Sequence, residues 1–75
     1  MGALPVLRGR EARKAFERVG WIFERQRGSH MILTKPGAAG LLSVQDHREL
    51  DPGLLRGLIR TAGISVEEFV TLLRK

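Results

Sequence analysis

The chain has no cysteine, and that single absence removes disulfides, thiolate zinc sites and thiol nucleophiles together. Histidine is nearly as scarce. His30 and His47 are the two imidazoles, with no third ligand at the spacing of an H-E-x-x-H helix, so neither a metal nor another cofactor is expected. Long apolar runs are missing as well. Met1 to Leu7 is apolar but too short for a secretory core, lacks a basic flank, and carries Val6 where a myristoylation signal needs Ser or Thr. The expectation is a cytoplasmic protein with no membrane association. No Gly-Lys-Ser/Thr ending of a Walker loop is present, nor any repeat, linker or low-complexity segment, so residues 1–75 read as one domain. Acidic residues are outnumbered, 8 against 13 basic, for a formal net charge of +5.

What is present is small and lopsided. A domain of 75 residues buries only about 60% of its unfolded surface, leaving no room for both a deep core and a large cleft, so any chemistry belongs near the surface. Residues 8–35 hold eight basic side chains against three acidic, whereas residues 36–75 are balanced. A one-sided basic excess on so small a domain is the footprint of a polyanion binder.

Periodicity and punctuation give the elements. Ala12, Ala15, Phe16 and Val19 fall at i, i+3, i+4, i+7, and Gly20 stands at a left-handed C-cap position, predicting an amphipathic helix over residues 9–19. Arg10, Lys14 and Arg18 stack like charges on its outer stripe, a conflict that an anionic partner would relieve. Trp21 to Gln26 and His30 to Lys35 read as strands joined by the three-residue connection Arg27-Gly28-Ser29. In the second strand His30, Ile32 and Thr34 share one face and Met31, Leu33 and Lys35 the other. Both faces carry apolar groups, so parity alone does not say which is inside.

Gly37-Ala38-Ala39-Gly40 matches the GxxG of KH domains, but that loop joins helices; here it reads as a turn before a third strand, Leu41 to Val44. Asp51-Pro52 opens a helix with the stripe Leu55, Leu58, Ile59, Ala62, closed by Gly63. Ser65-Val66-Glu67-Glu68 is a capping box opening a short last helix with Phe69, Leu72 and Leu73 inward. These two helices resemble a helix-turn-helix, yet Glu67 and Glu68 would face the phosphates, so a structural helical hairpin is expected. The order is α-β-β-β-α plus a short C-terminal helix, an α+β fold with a three-stranded antiparallel sheet.

The segment Gln26-Arg27-Gly28-Ser29-His30 is the chemical candidate. Gly28 frees the backbone for a tight turn, Arg27 is a phosphate clamp, Ser29 can donate to a phosphoryl oxygen, and His30 exchanges protons near neutral pH. One base removing a ribose 2′-hydroxyl proton, with cations near the phosphate, suffices to cleave RNA. The alternatives are a His30 that merely begins a strand, a noncatalytic double-stranded nucleic-acid-binding module on the same basic face, and a domain that docks an acidic protein.

Gly20-Trp21, then Gln26-Arg27-Gly28-Ser29-His30, then the run from Asp51 to Phe69 closing in Ala62-Gly63-Ile64-Ser65 resemble the HicA family of toxin ribonucleases over nearly the whole chain. The resemblance implies a fold like the double-stranded-RNA-binding domain. It also implies cleavage of mRNA by a metal-independent endoribonuclease whose catalytic residue is the His of Gly-Ser-His, here His30, and neutralisation by a HicB-type antitoxin. RNA contacts are expected from Arg25, Arg27, Gly28, Ser29, Lys35, Arg10 and Lys14, on a basic surface made jointly by the first helix and the hairpin. Members commonly carry Val-Pro-x-His after the third strand. This chain has Val44-Gln45-Asp46-His47, and His47 is given no catalytic role.

Overall fold

The computed structural model describes residues 4–75, so Met1 to Ala3 of the N-terminal apolar stretch lie outside the described residues. The elements are α1 Gly9–Glu17, β1 Ile22–Arg27, β2 His30–Thr34, β3 Leu42–Gln45, α2 Pro52–Ala62 and α3 Val66–Leu73. The strands form one antiparallel sheet in the order β1-β2-β3, the α+β arrangement that the periodicities predict.

Local chemistry explains the helix ends. Asp51 accepts the Leu54 N–H at 3.0 Å with Pro52 at the first turn, and Ser65 and Glu68 exchange bonds of 3.0 and 2.8 Å across a capping box. At the start of α1 the Glu11 carboxylate takes the Arg8 N–H at 2.8 Å. Regular α1 stops at Glu17, short of the expected Val19. The Gly20 N–H then bonds the Glu17 carbonyl at 3.2 Å and the Trp21 N–H the Phe16 carbonyl at 3.3 Å, a Schellman close that puts Gly20 where the sequence indicates.

The sheet buries one face. Met31 pairs with Val44 and Leu33 with Leu42, and all four are packed with Phe16, Phe69, Leu55 and Trp21 in the core. Phe16 and Phe69 meet with ring centroids 5.0 Å apart at 42°, joining α1 to α3. Because Phe69 and Leu72 are buried, α3 is a structural partner and not a presented recognition helix. Parity then sends His30, Ile32 and Thr34 to the opposite, open face, which resolves the ambiguity left by the sequence. Among the described residues no helix is long and apolar enough to cross a membrane.

Two strand details differ from expectation. Arg27 is not part of the turn: it pairs with His30, leaving the two-residue connection Gly28-Ser29. Gly28 has φ +58°, while among the described residues no non-glycine has positive φ, and this is the requirement of a type II′ hairpin with Gly first. The pairing also slips between Phe23 and Arg25, so that Glu24 is a bulge. Strict alternation from the inward Phe23 would send Arg25 and Arg27 inward too. The extra residue re-phases the strand and sets Arg25 opposite Ile32 and Arg27 opposite His30, on the open face.

Gly9 explains how α1 sits so close to β3. A Cβ built there would lie 1.8 Å from the Gln45 carbonyl oxygen, while the Gly9 N–H donates to the His47 carbonyl at 2.9 Å. Gly9→Ala therefore forces backbone apart and is expected to cost at least about 1–3 kcal/mol. Gly57, inside α2 where an added methyl would meet nothing beyond its own helix within 4 Å, is the control. Gly57→Ala is expected to stabilise by about 0.5–1 kcal/mol. Urea unfolding followed by fluorescence of the buried Trp21 measures both, and equal effects of the two changes would refute the close-approach argument.

Candidate active site

The open sheet face carries a cleft lined by Arg27, Gly28, His30, Ile32 and Ser43. Each position follows from register. Arg27 and His30 are cross-strand partners on β1 and β2, and Ile32 and Ser43 are partners on β2 and β3. Ile32, only 6% exposed, is the apolar floor; His30 and Arg27 stand exposed at the rim. The imidazole is engaged through Nδ1, which lies 3.3 Å from the Ser43 Oγ.

The turn beside His30 is held from behind. The Asp46 N–H donates to the Ser29 carbonyl at 2.7 Å, tying the hairpin tip to the chain leaving β3. The Asp46 carboxylate receives Arg10 through Nε at 3.1 Å and a second guanidinium nitrogen at 3.2 Å, and Gln26 Nε2 at 3.2 Å. Hydrogen bonds from Arg10 and Gln26, reinforced by the charges of Arg10 and His47, hold the Asp46 carboxyl below the usual carboxylate range. This cluster joins α1, β1 and the loop after β3 at the end of the sheet where His30 lies.

The remaining predicted contacts divide. Arg25 shares the open face, one pair along from Arg27, and its guanidinium meets the neighbouring Glu24 carboxylate in an exposed pair. Ser29 is exposed in the turn, its carbonyl engaged by Asp46. Arg10 is committed to Asp46. Lys14 lines a different groove, with Pro5, Glu11, Arg18 and Leu73, and Lys35 lies past the far end of β2 beside Gly20. Lys14 and Lys35 thus stand apart from the cleft, while Arg10 brings α1 to the hairpin end through Asp46.

The reason is that α1 packs against the buried side of the sheet, where Arg13 lies 3.9 Å over the Phe23 ring and pairs with Glu17 at 3.3 Å. The stripe conflict on α1 is relieved inside the molecule. Arg10 meets Asp46, and Arg18 donates to the Leu72 carbonyl at 2.8 Å, so no external anion is needed.

Ser43 and Asp46 are two residues of the site that the sequence does not announce. The alternation Leu42-Ser43-Val44 marks Ser43 as outward-facing, but only the register places it diagonal to His30. His47 is exposed in the loop, where its main-chain carbonyl receives the Gly9 N–H. Among the described residues no group of three or more His, Asp or Glu side chains is placed to hold a metal ion.

Residues 9–64 match the family model described as HicA toxin of bacterial toxin-antitoxin, a span from α1 through α2 that includes the whole sheet. None of the curated proteins matches the chain.

The Asp46 cluster has a pH signature. A carboxyl whose folded pKa is lowered contributes stability above its unfolded value, about 3.9, and that contribution disappears as pH falls through the lowered folded value. Asp46→Asn is therefore expected to lower the thermal midpoint at pH 7, with the gap from wild type closing in strong acid. A gap that is constant from pH 7 to pH 2 would show that the charge of Asp46 is immaterial.

Proposed function

This chain belongs to the HicA toxin family of bacterial toxin–antitoxin systems, and on that footing we propose that it is a metal-independent endoribonuclease acting on mRNA with His30 as its proton-transfer residue. The observation that carries the reading is the exposed His30 beside Arg27 in an open cleft, on the sheet face opposite the helices. In the neutral imidazole one nitrogen is free to take the proton from a ribose 2′-hydroxyl. The 2′ oxygen then bonds to the adjacent phosphorus, the bond from phosphorus to the 5′ oxygen breaks, and that oxygen leaves with the proton from the imidazolium. The products of this step are a 2′,3′-cyclic phosphate and a 5′-hydroxyl, with no water consumed.

Arg27 stands where charge accumulates on the phosphoryl oxygens, and Arg25 one pair along supplies a second phosphate contact. Gly28 and Ser29 present the turn to the backbone of the substrate. Arg10 acts through its hold on Asp46, while Lys14 and Lys35, away from the cleft, contribute long-range attraction. An open cleft floored by one aliphatic side chain offers few donors to base edges, so weak sequence preference follows. The family implies a cognate antitoxin, and we assign that role to a HicB-type protein.

Cleavage of a long labelled RNA in EDTA, wild type beside His30→Ala, tests the reading. The variant is expected to lose cleavage while its thermal midpoint and RNA affinity stay close to wild type. Full activity in His30→Ala overturns the role of His30. A folded wild type that binds RNA without cutting it makes the face a holding surface instead. Replacing Arg25 and Arg27 together with Ala is expected to lower the slope of log affinity against log salt by roughly 1.4, two single-strand phosphate contacts.

A further inference from the structure

A single imidazole that must act first as base and then as acid needs one nitrogen presented to the substrate throughout. Neutral histidine has two tautomers, and an exposed ring on a strand samples both unless something engages one nitrogen. The cleft supplies such a group. The Ser43 hydroxyl lies 3.3 Å from His30 Nδ1. Register sets the contact, because Ser43 is opposite Ile32, one alternate position from the Gln45 that faces His30, so the side chains meet on the diagonal across β2 and β3. Ser43 is half-buried beside the buried Ile32, which limits the hydroxyl's choice of partners.

The other groups around the ring are differently engaged or differently placed. Arg27 and Arg25, from β1, carry only donors; Gln45 faces His30 from β3 with an uncharged amide, but it is Ser43 that lies against Nδ1; the Asp46 carboxylate is turned to Arg10 and Gln26. The helices lie behind the sheet.

We propose that Ser43 is a positioning residue for His30, its Oγ accepting a hydrogen bond from Nδ1–H so that Nε2 is the nitrogen that faces RNA. The role rests on the ribonuclease reading given above. It suits both halves of the reaction. With Nδ1–H held by Ser43, neutral His30 has its lone pair at Nε2 and takes the 2′-hydroxyl proton there. The resulting imidazolium keeps the same Nδ1–H bond and returns the proton from Nε2 to the leaving 5′ oxygen. The hydroxyl neither ionises nor touches substrate. It differs in this from a carboxylate partner, which would also stabilise the imidazolium by its charge.

The test has two arms on folded protein. In the first, imidazole 15N chemical shifts of His30 are recorded with the ring neutral for wild type, Ser43→Ala and Ser43→Thr. Wild type is expected to be mostly the Nδ1–H tautomer, Ser43→Ala to shift toward Nε2–H, and Ser43→Thr, which keeps the hydroxyl on a strand-favouring side chain, to resemble wild type. In the second, cleavage of a fluorophore-labelled single-stranded RNA of mixed sequence is measured. Ser43→Ala is expected to lose about ten- to a hundredfold in kcat, the scale seen when the hydrogen-bonding partner of a metal-bound histidine is removed, with KM little changed and Thr restoring most of the rate.

A tautomer balance that Ser43→Ala does not move, or a Thr variant as slow as Ala, overturns the proposal. Absence of cleavage by wild type overturns the ribonuclease reading alone, since the tautomer arm still reads whether Ser43 holds the ring.

Discussion

The open face of the sheet depends on the phase that β1 gains at Glu24. A strand alternates strictly, so a slip of one residue exchanges its two faces. Phe23 must point inward against Leu33, and without the bulge that requirement would turn Arg25 and Arg27 to the helix-facing side of the sheet, away from His30. With it, the outer end of β1 satisfies the core and the inner end serves the cleft. Gln26, sent the other way, finds Asp46.

A second constraint acts at the same end of the sheet. Gly9 admits the start of α1 to the backbone of β3, and from there Arg10 reaches Asp46, whose main chain holds Ser29 and whose side chain holds Gln26. The hairpin tip is thereby fixed from behind by main-chain and charged contacts. The side facing outward is left to His30, Arg27 and Ser43. The bracing contacts therefore come from behind the sheet and leave the side chains of the cleft free, a division expected when a reactive group must be exposed yet closely aimed.

Element order, helix caps and most of the core were legible in the sequence because they follow from local rules: Asp51-Pro52, Ser65 with Glu68, Gly20 and Gly63 each act within a few residues. The Gly28-Ser29 turn that ends at His30 was legible too, since Gly28 marks it. The composition of the site was only partly so. Whether Arg10 serves a ligand or Asp46, 36 residues away, is a question of tertiary placement that charge counting cannot answer. The bulge at Glu24 leaves no mark in composition, yet it decides that Arg25 and Arg27 join His30, while Lys14 is kept away by the packing of α1 and Lys35 by its place past the end of β2. Ser43 escaped notice because a serine between two apolar residues reads as an ordinary outward strand position until its diagonal neighbour is known.

The contact between Phe16 and Phe69 also bears on how the protein is made. α1 is synthesised early, yet its largest core side chain has its aromatic partner in α3, and the nearby Arg18 is bound to the Leu72 carbonyl. Until that later segment has left the ribosome, α1 lacks this part of its packing, and short isolated helices hold poorly in water. The close approach of α1 to β3, and with it the bracing of the hairpin tip, waits on the same event. A nascent chain therefore carries His30 before it carries the α3 segment against which α1, and through α1 the brace behind the hairpin tip, is packed.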